Sequence, residues 1–234
     1  IGHPVAVGPS WVRVPAPAPP KIVSQMTEII KIDPDSPGKG ILEETAETIK
    51  DDGLVVYPTE TVYGLGADAT SDEAVAKVFE AKSRPTDNPI SVAVNSLEMA
   101  RRVGEISSRV ESLFVGLLPG PLSFIVNARS GLSECLSAGT GKIAIRVPSH
   151  RVALRLIGKV GGPITSTSAN VSGEPAPETA GEALGQLRNR VDLILDAGRA
   201  PIGNPSTVID VSGERLKVIR EGPISILEVR KVLG

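Results

Sequence analysis

The chain of 234 residues is short of the residue types that build several familiar kinds of site. Its single cysteine, Cys135, rules out an internal disulfide framework. With only two histidines, His3 and His150, no His/Cys zinc cluster can be assembled. Aromatic residues make up 3% of the chain, too few for a base-stacking surface of the single-strand-binding kind. The uncharged apolar runs are too short to span a bilayer, which predicts a soluble, cytoplasmic protein with no membrane partner. Net charge is −2, against a constitutive nucleic-acid coat, although a local basic pocket remains compatible with it. Three familiar signatures are also missing: the Gly-x-x-x-x-Gly-Lys-Ser/Thr phosphate loop, the Gly-x-Gly-x-x-Gly dinucleotide turn and the Gly-x-Ser-x-Gly nucleophile elbow. His150 has no evident Ser/Asp partners. Chemistry must therefore come from hydroxyls, Lys, Arg, carboxylates and backbone.

What is present starts with a proline-rich opening. Six prolines fall within residues 1–20, and their rings favour extended polyproline geometry over helix. Residues 1–25 are read as an extension preceding a domain over residues 26–234. From Met26 onward strand and helix signals alternate. Residues 27–32 read as a strand. Residues 40–51 place Ile41, Leu42, Thr45, Ala46 and Ile49 on one helical stripe. Residues 54–57 form a short buried strand that Pro58 ends, and Ser71 or Asp72 caps a helix carrying Ala74, Val75, Val78 and Phe79. Further strands are expected over 90–94, 122–127, 142–147, 163–167, 191–195, 207–211 and 216–219. Helices are expected over 107–118 and 150–160, with a last one opened at Ser225 by a capping box with Glu228. The mixed order, without a strict βαβ rhythm, predicts an α/β or α+β domain around a twisted mixed sheet.

Three segments turn polar where a core element ends. Pro58-Thr59-Glu60-Thr61-Val62-Tyr63-Gly64-Leu65-Gly66 delivers hydroxyls, a carboxylate and a phenol, with glycines that let backbone approach a ligand. Taken alone, it reads better as a glycine turn with surface threonines. Lys82-Ser83-Arg84-Pro85 places a point charge beside a planar fork at a helix end, suited to polyphosphate or carboxylate. On an extended chain the two cations share a side, but they also suit a plain dipole-offsetting last turn. Thr165-Ser166-Thr167-Ser168-Ala169-Asn170 stacks hydroxyl and amide donors after an apolar strand start. Lesser loops around Ser137, Arg146, Ser206 and Arg220 share the same chemistry, and together they suggest one anion-binding concavity.

In order along the chain, Pro-Thr-Glu-Thr-Val-Tyr-Gly-Leu-Gly, Lys-Ser-Arg-Pro, Leu-Pro-Gly-Pro-Leu-Ser, Ile-Arg-Val-Pro, Thr-Ser-Ala-Asn-Val-Ser-Gly and Pro-Ser-Thr-Val-Ile-Asp make the sequence similar to the YrdC/Sua-type L-threonylcarbamoyladenylate synthases. The resemblance runs from about Met26 to the end. It implies a RibB-like fold bounding a deep cavity, and conversion of L-threonine, bicarbonate and ATP to threonylcarbamoyl-AMP and pyrophosphate, with Mg²⁺. The product would feed threonylcarbamoyladenosine formation on tRNA through a separate transferase. The family pattern assigns Lys82 and Arg84 as catalytic cations facing the ATP phosphates. It puts Thr59, Tyr63, Arg146, Ser166, Ser168 and Ser206 at threonine, and Ser137, Ser168, Asn170 and Arg220 at the nucleotide. No protein metal ligand is implied. Longer relatives often carry a histidine where this chain has Ala93. A non-catalytic RNA-binding module of the same fold, as in YciO-like paralogues, is the alternative, with tRNA contact expected to be weak. A carbamoyl-transfer module of a hydrogenase-maturation protein is disfavoured by the lack of zinc-finger cysteines.

Overall fold

Apolar spacing and side-chain caps set most of the elements. The computed structural model describes residues 27–234, so the extension expected over residues 1–25 lies outside the described residues. In chain order the elements are β1 (Glu28–Lys31), α1 (Lys39–Lys50), β2 (Val55–Tyr57), β3 (Gly64–Gly66), α2 (Asp72–Ala81), β4 (Val92–Ala93), α3 (Leu97–Val103), α4 (Ser108–Gly116) and β5 (Leu122–Asn127). A single 3₁₀ turn follows at Glu134–Ser137. Then come β6 (Lys142–Arg146), α5 (Arg151–Val160), β7 (Ile164–Thr165), β8 (Thr167–Ser168), α6 (Ala180–Leu187), β9 (Leu193–Asp196), β10 (Thr207–Asp210), β11 (Lys217–Arg220) and α7 (Ile226–Leu233).

The mixed α/β architecture is as expected, with the strands divided between two sheets. One sheet has the order β1-β9-β2-β3-β8, the other β11-β10-β5-β6-β4-β7. Both mix parallel and antiparallel pairs: β2 is parallel to β9 and antiparallel to β3, while β5 is parallel to β10 and antiparallel to β6. The expected stripe of α1 buries Leu42, Thr45, Ala46 and Ile49, and the helix packs on α5, which buries Val152, Ala153, Leu156 and Ile157. Ser71 caps α2 by accepting from the Ala74 N–H. At α7 the Ser225–Glu228 capping box is complete in both directions.

Several elements differ from expectation. The strand read over 90–94 shortens to β4, and the helix read over 107–118 stops at Gly116. Two short helices, α3 and α6, carried no clear signal. The glycine-rich stretch after Tyr63 forms the antiparallel strand β3 rather than a turn. There, a Cβ on Gly64 or Gly66 would sit 3.0 Å from ring atoms of Tyr57, so only glycine lets that buried ring lie across the strand. The 163–167 strand is in fact two. β7 belongs to the six-stranded sheet and β8 to the five-stranded one, and the chain crosses between them at Ser166. The crossing is fastened to the β4 approach, where Ser166 N–H donates to Ser91 O at 2.7 Å and the Ser91 hydroxyl donates back to Ser166 O.

Candidate active site

Beside that crossing lies a cleft of about 340 Å³ whose walls come from both sheets. The β2–β3 connection contributes Thr59 and Tyr63, and the β7–β8 segment contributes Ser166 and Ser168. Arg146 at the end of β6, Ser206 ahead of β10 and Arg220 at the end of β11 line it as well. Arg84, beyond α2, completes the wall.

Three guanidiniums, Arg84, Arg146 and Arg220, thus line one concavity, each steadied by hydrogen bonds to its own surroundings. Arg84 donates from Nε to Asn88 O at 3.0 Å, and from Nη2 to Asn88 Oδ1 and Pro89 O at 2.8 Å each. Arg220 grips Ser206 O through Nε at 3.0 Å and Nη2 at 2.8 Å, and the Ser206 hydroxyl pairs with Ser123 Oγ at 2.9 Å. Burial holds both of these arginines below the usual guanidinium range, and the charge of Arg146 adds to the effect at Arg220. Such a group loses none of its charge near neutrality. Arg146 donates from Nη2 to Thr61 Oγ1 at 2.7 Å and Thr59 Oγ1 at 3.4 Å, and lies 2.9 Å from Glu60 Oε1.

Lys82 and Arg84, though near enough for their charges to interact, do not line the cleft together as an extended chain would have placed them. The helix ends with Lys82 still helical (φ −84°), and Ser83 then adopts a left-handed φ of +49°, turning the two side chains different ways. Lys82 is 1% exposed and lines none of the cleft. Its ammonium donates to Asn170 O at 2.7 Å and to Ser168 O, while its own carbonyl accepts from Ser172 N–H at 2.8 Å. The lysine therefore clasps the serine-rich turn from behind. Burial, with the charge of Arg84 second, lowers its pKa to about 7.

Tyr63 donates to Gly198 O at 2.6 Å and accepts from Ala197 N–H at 3.2 Å. Burial pushes its phenol up to about 12, so it acts as a neutral wall rather than a base. The Thr59 hydroxyl donates to Val62 O at 2.6 Å and pairs with Thr61 Oγ1 at 3.0 Å, which commits it to the turn. Asn170, 6% exposed, sits behind the serine turn with Oδ1 unpartnered. Ser137 lies outside the cleft, against a separate depression lined by residues 128–143, its hydroxyl donating to Glu134 O at 3.0 Å. Ala93 is fully buried in β4 and lines none of the cleft.

Glu60, Thr61 and Ser123 fall within the polar motifs but take no role of their own from sequence, because their partners, Arg146 and Ser206, are distant along the chain. Among the described residues no group of three or more His, Cys, Asp or Glu could hold a metal ion. Also among them, no helix is long and apolar enough to cross a membrane. The arrangement can gather anions and orient them with hydroxyls, and it presents no activated nucleophile.

Comparison with known proteins places this geometry. The Sua5/YciO/YrdC family model, described as telomere recombination, matches residues 47–222. A threonylcarbamoyl-AMP synthase of Pyrococcus abyssi is 37% identical over 187 residues, covering 80% of this chain but 55% of the relative. This chain thus spans about half the length of that relative. A putative threonylcarbamoyl-AMP synthase of Mycobacterium tuberculosis is 38% identical over 203 residues, covering 86% of this chain and 93% of the relative. The crystal structure of P. abyssi Sua5 complexed with L-threonine superposes with a TM-score of 0.86 at 35% identity, over 89% of this chain and 61% of that one. With the match running through both sheets and every segment of the cleft wall, this chain belongs to the Sua5/YciO/YrdC family.

Proposed function

We propose that this chain converts L-threonine, bicarbonate and ATP to threonylcarbamoyl-AMP and pyrophosphate. The observation that carries the reading is the convergence of Arg84, Arg146 and Arg220 with the Ser166 and Ser168 hydroxyls on one cleft. The names of the P. abyssi and M. tuberculosis relatives, and the threonine bound to P. abyssi Sua5, support it. In this reading Arg146 takes the threonine carboxylate beside Tyr63, with Ser206 close by. Arg84 and Arg220 face the nucleotide phosphates. Lys82 acts through the turn it clasps, fixing Ser168 and Asn170. Ser137 is left with no direct part.

The chemistry asks little covalent work of the protein. The neutral threonine amine forms a bond to the bicarbonate carbon as hydroxide leaves and takes up an amine proton to become water, and an oxygen of the resulting carbamate then attacks the α-phosphorus as pyrophosphate departs. Mutually repelling anions must be held in line while this happens, and such positioning lowers a barrier by roughly 7–11 kcal/mol. Preorganised guanidiniums also stabilise charge that builds on the phosphoryl oxygens. Magnesium arrives with the nucleotide. The carboxylate nearest the arginines, Glu60, is turned to Arg146, so these residues make no magnesium site and no step is assigned through the ion. The product is a mixed anhydride, which a separate threonylcarbamoyl transferase would pass to tRNA in the cytoplasm, with weak or no tRNA contact by this chain.

The test is pyrophosphate release from ATP. It is expected only when threonine and bicarbonate are both present, and release indifferent to threonine overturns the proposal. Salt-dependent RNA binding without threonine-dependent turnover would favour the RNA-binding alternative instead.

A further inference from the structure

Among the described residues a single carboxylate is buried against an arginine of the cleft, Arg146; it stands just behind the wall, next to Thr59, and does not itself line the cleft. Glu60 is 6% exposed and its Oε1 lies 2.9 Å from Nη2 of Arg146, which is 7% exposed. The two do not close as a fork. Neither Glu60 oxygen has a hydrogen-bond partner, nor does Arg146 Nε, and the Nη2 bonds run to Thr61 and Thr59. Two other titratable groups face Glu60. His150 is half-buried and kept toward its neutral form by that burial, against the opposing pull of Glu60 and Asp35. Tyr57 is fully buried and directs its hydroxyl to Thr165 O at 3.3 Å and Ser166 Oγ at 3.4 Å. Arg146 is therefore the one cation set against Glu60 among the described residues.

Stability does not account for such a pair. A buried ion pair seldom outperforms an apolar replacement of the same volume, and unbonded carboxylate oxygens make it worse. Binding does account for it. A ligand carboxylate that approaches Arg146 also meets the negative charge of Glu60, and a simple anion is discouraged. An α-amino acid brings its own ammonium, whose attraction to Glu60 offsets that repulsion. Polyphosphate, with no compensating cation, is left to Arg84 and Arg220.

We propose that Glu60 is a positioning residue that makes the Arg146 end of the cleft select a zwitterion over a plain anion, sorting amino acid from phosphate. This rests on reading the Arg146 end as the threonine site. Calorimetry on the full chain, with L-threonine and its deaminated analogue 3-hydroxybutyrate, tests it. The wild-type protein is expected to prefer threonine by about tenfold or more, and Glu60→Gln to lower that preference about tenfold, equivalent to about 1.4 kcal/mol. In Glu60→Gln, inorganic pyrophosphate should also begin to compete with threonine. A purely structural role would weaken both ligands alike and leave their ratio unmoved, which overturns the proposal, as does a wild-type protein that binds the two equally. If wild type binds no threonine with or without ATP, the reading of the cleft fails as well. Should Glu60→Gln not fold, Glu60→Asp carries the test. Its retained charge keeps the preference within about threefold of wild type, and loss of the preference there overturns the proposal.

Discussion

Replacing Lys82 by methionine separates what this buried lysine does for stability from what it does for the cleft. Its ammonium is lowered from the ordinary 10.5 to about 7, chiefly by burial. At about 1.36 kcal/mol per unit, keeping it charged in the native state costs about 5 kcal/mol. Methionine removes that cost but strands the Ser168 and Asn170 carbonyls, at about 1–3 kcal/mol each. The two effects nearly cancel, so at pH 7 the substitution is expected to change the unfolding free energy by no more than about 2 kcal/mol. The pH dependence is more telling. Between about pH 7 and 10.5 the native protein binds fewer protons here than the unfolded chain, so the stability of wild type rises with pH across that window. Methionine cannot titrate. Urea unfolding of both proteins from pH 6 to 9.5, followed by circular dichroism, should show wild type gaining on Lys82→Met by about 1 kcal/mol per pH unit above neutrality. Parallel stability curves would refute the buried, depressed lysine. Threonine-dependent turnover should fall sharply in the variant even where stability is matched, because the serine turn loses its clasp.

Arg84→Ala should lower kcat/KM for pyrophosphate release by about 10²-fold or more, with the melting temperature shifted little, since its bonds are confined to the exposed 88–89 loop. Near-normal turnover would remove Arg84 from its assigned role. Gly222→Ala should be strongly destabilising, because an added Cβ would fall 2.5 Å from Thr207 N and 2.7 Å from Pro205 O, both backbone atoms that cannot yield cheaply. The displaced 205–207 segment would take Ser206 out of the Arg220 grip, so thermal melts should drop and nucleotide binding weaken together. A variant with wild-type melting would contradict the tight packing at Gly222.

Long amphipathic stripes and capped helix starts were legible in the sequence. The α1 stripe, the Ser71 cap and the Ser225–Glu228 box each follow from residues within a few positions of one another. The helix α6 was not, since Gly181 and Gly185 dilute its propensity and hide its apolar side. Strand β3 was hidden for the opposite reason: its glycines answer to the ring of Tyr57 rather than to any local turn. Thr59, Arg84, Arg146, Ser166 and Arg220, from segments that turn polar where core elements end, come together around one cleft, a grouping that the family resemblance implied more than the residue pattern did. Ser137, in an equally hydroxyl-rich loop, lines a separate depression, which hydroxyl density alone does not announce. The inward course of Lys82 depends on the left-handed Ser83, a conformation no neighbouring residue announces. The Glu60–Arg146 pair joins two distant segments, beyond the reach of any short-range pattern.

Ser166, the one residue between β7 of one sheet and β8 of the other, is also part of the cleft wall. A molecule lodged against it acts as a splint across two ladders, adding to the bonds that already join them there, such as Thr165 N–H to Ala67 O and the Thr165 hydroxyl to Leu65 O, both at 2.9 Å. Fraying of either ladder would then have to expel the guest, so occupancy ties their melting together and raises it in proportion to RT ln(1 + [L]/Kd).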